Sequence, residues 1–409
     1  MQRTLARVSE SLPAQAAAKA AAFADELVAF RRDLHMHPEL GREEFRTTGL
    51  VRERLVRAGL APRLLPGTGL VCDIGPDGRA ATSGRPLRDL IAFRGDIDAL
   101  PVEDVKDVPY RSTVPGRAHA CGHDVHTSIV LGTGLVLAEL AREGLLSRPV
   151  RLIFQPAEEK LPGGALDVIK AGGLDGVGEV HAIHCDPKVE VGRVGLRAGA
   201  ITSACDRVVI TVSGPGGHTA RPHQTTDLVM ALAKLAAELP GVFSRRIDPR
   251  SGASLVWGRI ESGSAPNVIP QHGELEGTLR CLDLAAWRQA PDLMHELVDA
   301  IASTYGAKWE LEHHRGVPPV VNDPDAVAAM RAVAVGVLGA SEVEGTEQSL
   351  GGEDFSWFLE QVPGQLTRLG VRAPGQAPYD LHQGRFDVDE RAIGVGVRLF
   401  AGLALRPYR

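Results

Sequence analysis

The sequence predicts an α/β fold, a mixed sheet with flanking helices, interrupted by a smaller inserted ferredoxin-like α+β unit. Two patterns carry this reading. From Ile91 onward, short apolar runs alternate with longer stretches of helical period, the signature of a largely buried sheet covered by helices. Between about Asp206 and Arg315 the rhythm changes to strand, helix, strand, strand, helix, strand, the βαββαβ order of a ferredoxin-like unit. A chain of 409 residues has room for both.

The elements follow in order. An alanine-rich stretch over 14–23 is broken by Gln15 and Lys19, with Asp25 and Glu26 just beyond, so it reads as an amphipathic helix running into Leu34 and not as a signal peptide. Strands are expected at 90–93, 150–154 and 180–184, with a helix over 127–140 and a shorter one over 163–171 ended by Gly172 and Gly173. All three strand ends fall beside polar clusters, where open α/β sheets place their ligands. In the insertion, strands are expected at 207–212, 254–260, 274–281 and 308–313, with helices at 226–239 and 285–305. Asn322, Asp323 and Pro324 then mark a return to the first pattern. The expected organisation is a catalytic domain split into 1–203 and 316–409, carrying an inserted lid at 204–315.

Composition narrows the function. Apolar residues make up 44% and charged residues 23%, which excludes long disordered stretches. No later segment holds the roughly 18 uninterrupted apolar residues of a membrane span. A net charge of -6 and an aromatic content of 4% argue against nucleic acid, which is bound by clustered cations and stacked rings. The five cysteines, Cys72, Cys121, Cys185, Cys205 and Cys281, are odd in number and irregular in spacing, so they form no disulfide framework and point to a reducing cytoplasm.

The densest chemistry lies in His119-Ala-Cys121-Gly-His123-Asp124-Val-His126, just before a helix. Thiolate and imidazole are the donors that zinc and similar ions prefer, and a one-residue gap lets two of them reach one ion from a loop; a turn with helix-capping groups is the bland alternative. Gln155-Pro-Ala-Glu158-Glu159 follows an apolar strand, and adjacent carboxylates there make sense when one binds a cation and the other handles protons, although a surface acidic pair would look the same. His181 and His184 are three apart on a strand and face opposite sides, so at most one is a ligand. An isolated His382 is more often structural. Asp96 and Asp98 in Arg94-Gly-Asp96-Ile-Asp98 either orient a ligand imidazole or cap a turn. In the insertion, Ser213-Gly-Pro-Gly-Gly-His218 either presents His218 to an oxyanion or is a plain turn.

Together these segments resemble the amidohydrolase branch of the dinuclear metallopeptidases, which includes hippurate hydrolases, bacterial aminoacylases and plant auxin-conjugate hydrolases. The resemblance runs from Arg31-Arg-Asp-Leu-His-Met-His-Pro-Glu39 through Phe93-Arg-Gly-Asp-Ile-Asp-Ala-Leu-Pro101, His119 to His126, Gln155 to Glu159 and His184. It continues through Gly214 to His218, Asn267-Val-Ile-Pro270 and Gly277-Thr-Leu-Arg280, and closes with Gly352-Glu-Asp-Phe355 and Leu381-His382.

That resemblance implies a dinuclear-metal peptidase-like catalytic domain in which Cys121, His123, Glu159, His184 and His382 bind two divalent ions. Zinc and manganese both tolerate this donor mix. It further implies Glu158 as general base and Asp98 as the group that orients it and the ligands, with His218, Asn267 and Arg280 on the lid gripping the oxyanion and the substrate carboxylate. The forked guanidinium of Arg280 suits a carboxylate, and a surface salt bridge is its other reading. The sequence departs from the pattern at Cys185-Asp186, Lys160-Leu161-Pro162 and Gln383-Gly384-Arg385 without removing a ligand.

The expected activity is hydrolysis of N-acyl amino acids by an activated water. An aminopeptidase or carboxypeptidase acting on dipeptides at the same centre is the nearest alternative. A cysteine hydrolase using Cys121 with His123 or His126, and a metal-storage protein, are the more distant ones. Partners are expected to be a small-molecule substrate and a second copy paired through a lid edge, with no nucleic acid and no membrane.

Overall fold

The computed structural model describes residues 2–76 and 90–407. The chain divides into two compact units, one formed by Met1–Gly199, Val321–Glu347 and Trp357–Arg409, the other by Ala200–Val320 and Gln348–Ser356.

In chain order the first unit contributes β1 (Arg63–Leu64), β2 (Leu70–Ile74), β3 (Leu90–Asp96), β4 (Val150–Gln155), β5 (Val177–Glu190) and β6 (Val194–Leu196). The second contributes β7 (Ala204–Ser213), β8 (Ser254–Ser262), β9 (His272–Cys281) and β10 (Lys308–Val317), and the first resumes with β11 (Val343–Gly345) and β12 (Gly364–Arg372).

The sheet of the first unit runs β1-β2-β4-β3-β5-β12-β6-β11. Its centre, β4-β3-β5-β12, is parallel, while β2 joins β4 and β6 joins β12 antiparallel, so the sheet is mixed. Every residue of β3 and β4 is buried, as strands covered on both faces must be. The helix His123–Arg142 lies in the same core as Phe93, Leu152 and Phe400. Gly132 on that helix allows its neighbours to close in, since a Cβ there would stand 2.5 Å from Leu27 and 2.8 Å from Val397. By length and composition this helix alone among the described residues could cross a membrane, but 94% of its apolar window is buried inside the fold.

At the N-terminus two helices, Gln2–Ala22 and Ala24–Met36, replace the single helix expected. Asp25 and Glu26 fall in the first turn of the second, where acidic groups favour a helix start, yet Leu27 N–H still donates to Phe23 O across the break.

The sheet of the second unit runs β8-β9-β7-β10 and is antiparallel throughout. With helices Leu228–Arg246 after β7 and Leu284–Thr304 after β9, this is the βαββαβ unit read from the sequence. Asp227 and Asp283 accept from Met230 N and Ala286 N and so cap both helices. β9 alternates buried and exposed positions, which leaves one sheet face for the helices. Ser349 N–H donates to Ile201 O and Ser203 Oγ to Leu350 O, which attaches Gln348–Ser356 to this unit.

Candidate metal centre

The chemistry gathers at the ends of parallel neighbours in the first unit. β3 leads into Asp98, β4 into Glu158 and Glu159, and β5 carries His184, while the loop through Cys121 enters the helix that begins at His123. Two turns need left-handed backbone at non-glycine residues, Ala157 (φ 52) and His382 (φ 62). Each is held from both sides or by a tight partner: Ala157 N–H donates to Glu44 Oε1 at 2.7 Å and its carbonyl accepts from Gly164 N, and His382 N–H donates to Ala120 O at 2.8 Å.

Donor atoms cluster in overlapping sets whose members all lie within 4.8 Å of one another, among them Cys121, His123 and His184; Cys121, Glu159 and His382; His123, Glu158 and Glu159; and Asp96, His123 and His126. Cys121, His123 and Glu159 are each shared between sets, so the sets form one continuous cluster, and Cys121 is the donor common to the groups that contain His184 and His382. Its Sγ is 3.5 Å from His184 Nε2. His123 Nε2 is buried without a hydrogen-bond partner among the described residues, and it faces Asp96, Glu158 and Glu159 at 3.7, 3.8 and 3.9 Å. Those separations are too long for hydrogen bonds and suit donors grouped about a cation.

The tautomers agree with that use. His123 Nδ1 donates to Asp98 O at 3.0 Å and lies 3.2 Å from its Oδ1, and His184 Nδ1 donates to Cys185 O at 2.8 Å. In the neutral form, each ring turns its unprotonated Nε2 toward the thiol. Asp98 Oδ2 also accepts from Glu159 N at 3.0 Å, so one aspartate fixes an imidazole and a glutamate together.

The donors are shifted in both directions: burial lowers His123, but the charges of Asp96 and Cys121 and a hydrogen bond with Asp98 outweigh it and hold the ring well above the ordinary imidazole value. Burial pushes the Cys121 thiol up, and an adjacent cation is what converts such a thiol to thiolate. Burial, joined by the charge of Arg368, holds His184 well below the ordinary imidazole value, in the neutral form that binds metal. His382 is raised to about 10 by its hydrogen bond with Cys121 and then by Glu159, 3.2 Å away. An orphaned buried nitrogen, a buried thiol and two carboxylates in contact with imidazoles fit divalent cations.

The remaining histidines of the 119–126 loop do other things. His126 Nε2 accepts from Cys185 N at 2.9 Å, and its Nδ1 lies 2.6 Å from Asp96 Oδ1. His119 is buried and pushed down to about 4 by that burial. Asp124 is held by Arg31 Nε and His35 Nδ1, both at 2.7 Å, which explains the charged motif near the N-terminus. On β5, His181 Nε2 contacts Glu179 at 3.3 Å, away from the donor cluster. The sequence offers Asp96 as a group that orients a ligand imidazole or caps a turn, and it groups Asp124 and His126 with the donors of the 119–126 loop; it gives no sign that His126 holds the backbone of Cys185 or that His35 holds Asp124.

In the second unit, His218 and Asn267 meet. His218 pairs with Val268, Asn267 O accepts from Thr219 N, and His218 Nδ1 accepts from Ala220 N at 3.1 Å, which leaves Nε2–H as a donor. Arg280 lies elsewhere and donates to Leu350 O. It pairs with Cys205, whereas His272 pairs with Ser213 at the end that leads to the His218 turn, so about 26 Å of strand separates the two places.

The model of the peptidase family M20/M25/M40 matches residues 92–406. A Rhodococcus jostii protein with the provisional name of a glutamate–cysteine ligase is 47% identical over 379 residues, 92% of this chain and 46% of that protein, so the chain spans about half its length. N-acetylcysteine deacetylase of Bacillus subtilis is 36% identical over 94% of this chain and 97% of its own. Among solved structures, the YXEP protein of Bacillus subtilis, described as a dinuclear metal binding peptidase, is 34% identical, with a TM-score of 0.79 and coverage of 94% of this chain and 98% of that one.

Proposed function

The chain belongs to peptidase family M20/M25/M40, enzymes of linear amide hydrolysis, and on that premise we propose that it cleaves N-acylated amino acids at a centre of two divalent ions. The observation that carries this reading is the overlap of the donor sets, with Cys121 common to the group that contains His184 and the group that contains His382. One ion would be held by Cys121, His123 and His184, the other by Cys121, Glu159 and His382, with zinc or manganese as the metal. When bound, the ions would acidify a water and polarise the substrate carbonyl.

Glu158 would be the base, holding the proton given up by the attacking water and returning it to the leaving amine, beside the ligands but not needed among them. Asp98 keeps His123 in the tautomer that presents Nε2. His218, a donor through Nε2, would stabilise the developing oxyanion with Asn267 beside it, and Arg280 would hold the substrate carboxylate. The second unit, Ala200–Val320 with Gln348–Ser356, would act as the lid expected at 204–315.

The register of β9 bears on assembly. A small substrate cannot bridge the 26 Å or so of strand between Arg280 and the His218 turn of one sheet. We therefore assign His218 and Arg280 in one site to two copies of the chain, paired through the lid as a homodimer. Val256 and Ile260, 60% and 54% exposed on the edge strand β8, supply an apolar edge for that contact. The five cysteines are all unpaired, which supports a reducing compartment, the cytoplasm.

The test is a panel of N-acetyl and N-benzoyl amino acids, N-acetylcysteine among them, set against dipeptides with free amino termini, using zinc- or manganese-loaded protein. N-acyl amino acids should be hydrolysed in preference, with activity lost to EDTA and restored by metal. Preference for dipeptides would turn the assignment to a peptidase, and indifference to EDTA would end it.

A further inference from the structure

His126 is a buried histidine beside the centre whose two nitrogens are both occupied by protein. Its Nε2 accepts the backbone N–H of Cys185 at 2.9 Å, so the ring proton sits on Nδ1 and is donated to Asp96 Oδ1 at 2.6 Å. Asp96 Oδ2 in turn accepts from Arg94 Nη1 at 2.6 Å, and Arg94 Nε donates to Gln155 Oε1 at 2.8 Å. This chain ties the ends of β4, β3 and β5 to the helix that begins at His123, one turn before His126. Its far end matters most. The residue whose N–H His126 holds is the residue whose carbonyl, 2.8 Å from His184 Nδ1, fixes the His184 ring.

We propose that His126 is a positioning residue: it binds no metal, and through the backbone of Cys185 it sets where His184 presents Nε2 to Cys121. The role asks for a rigid ring that accepts at one nitrogen and donates at the other within a buried space. Lysine or arginine cannot accept, and a carboxylate cannot donate to Asp96. The inference rests on the dinuclear reading above, since it gives His184 a metal to meet.

The experiment is a cobalt(II) titration of metal-free protein, following the thiolate-to-cobalt charge-transfer band and the ligand-field bands, for wild type, His126→Gln, His126→Asn and His126→Leu. The Gln side chain reaches toward the Nε2 position and can still accept from Cys185 N, whereas Asn reaches only the Asp96 side. Wild type should take up two equivalents. Asn and Leu should weaken one of the two steps by about 10- to 100-fold and alter its ligand-field bands, with the other step unchanged, and Gln should restore much of the loss.

Should the Leu variant fail to fold, the comparison of Gln with Asn decides. Variants that titrate like wild type, an Asn variant that binds as well as Gln, or equal weakening of both steps in proportion to lost thermal stability would each overturn the role of His126 alone. Fewer than two equivalents in wild type would refute the dinuclear reading, and this inference would fall with it.

Discussion

Glu158 and Glu159 are adjacent in sequence but differ in what holds them. Both approach His123 Nε2, at 3.8 and 3.9 Å, and Glu159 in addition has its backbone N–H on Asp98 and its Oε1 against His382. Substitution should separate their roles. Glu158→Gln should lower kcat by about 10²- to 10⁴-fold with the metal content intact, while Glu159→Gln should lose metal; turnover together with metal analysis reads both. Near-normal turnover in a metal-loaded Glu158→Gln enzyme would remove the base. At this scale the sequence was informative where donors crowd together, as in Cys121 and His123. It named Asp96 and His126 without separating their roles, because whether a histidine serves a metal or the backbone depends on what reaches its second nitrogen, here Cys185, 59 positions along the chain.

At the scale of elements, the loop before the helix His123–Arg142 and the strand β5 shape the site between them. Gly122 has φ 86, and a Cβ there would stand 2.7 Å from Cys185 Sγ. Gly122→Ala should therefore lower thermal stability by about 1–3 kcal/mol and weaken metal binding, because Cys121 and His123 flank it; an alanine variant with unchanged melting and metal affinity would show that the loop tolerates the side chain.

The base of β5 carries a separate ion cluster. Burial pushes the Glu179 carboxyl up, but the hydrogen bond from His181 and the charges of Arg406 and Arg148 outweigh it and hold the group well below its ordinary value of 4.5. A carboxyl whose folded value is depressed stabilises the fold fully above its unfolded value and loses that contribution as pH falls. Denaturant melts between pH 7 and pH 3 should show Glu179→Gln less stable than wild type at neutral pH and flatter toward acid. Parallel curves would assign the cluster no share in acid unfolding.

Periodicity located β5 but shortened it, reading 180–184 where the strand is Val177–Glu190. The extension past His184 comes from pairing with β12, up to Arg372 opposite Glu190, and the extension before Val180 from β3, with Leu90 opposite Val177, partners that local pattern does not reveal.

At the scale of the molecule, the change of rhythm from about Asp206 announced a second unit, and the four strands of its main sheet and its two long helices follow the order read from the sequence. The attachment of Gln348–Ser356 to that unit was not legible, since nine residues without periodicity join it through isolated backbone and hydroxyl contacts. Assembly gives the test at this scale. Sedimentation should find wild type dimeric and the double variant Val256→Glu, Ile260→Glu monomeric with much reduced activity. A fully active monomer would contradict the sharing of His218 and Arg280 between copies.

The claim on which the rest depends is that one sulfur joins two metal pockets beside an unligated glutamate. Diffraction from zinc-loaded crystals at the zinc absorption edge tests it directly. The account predicts two anomalous peaks per chain, about 3.5–4 Å apart, with Cys121 bound to both, His123 and His184 on one, Glu159 and His382 on the other, and Glu158 on neither. A single peak, or two peaks with Cys121 outside bonding distance, would contradict it.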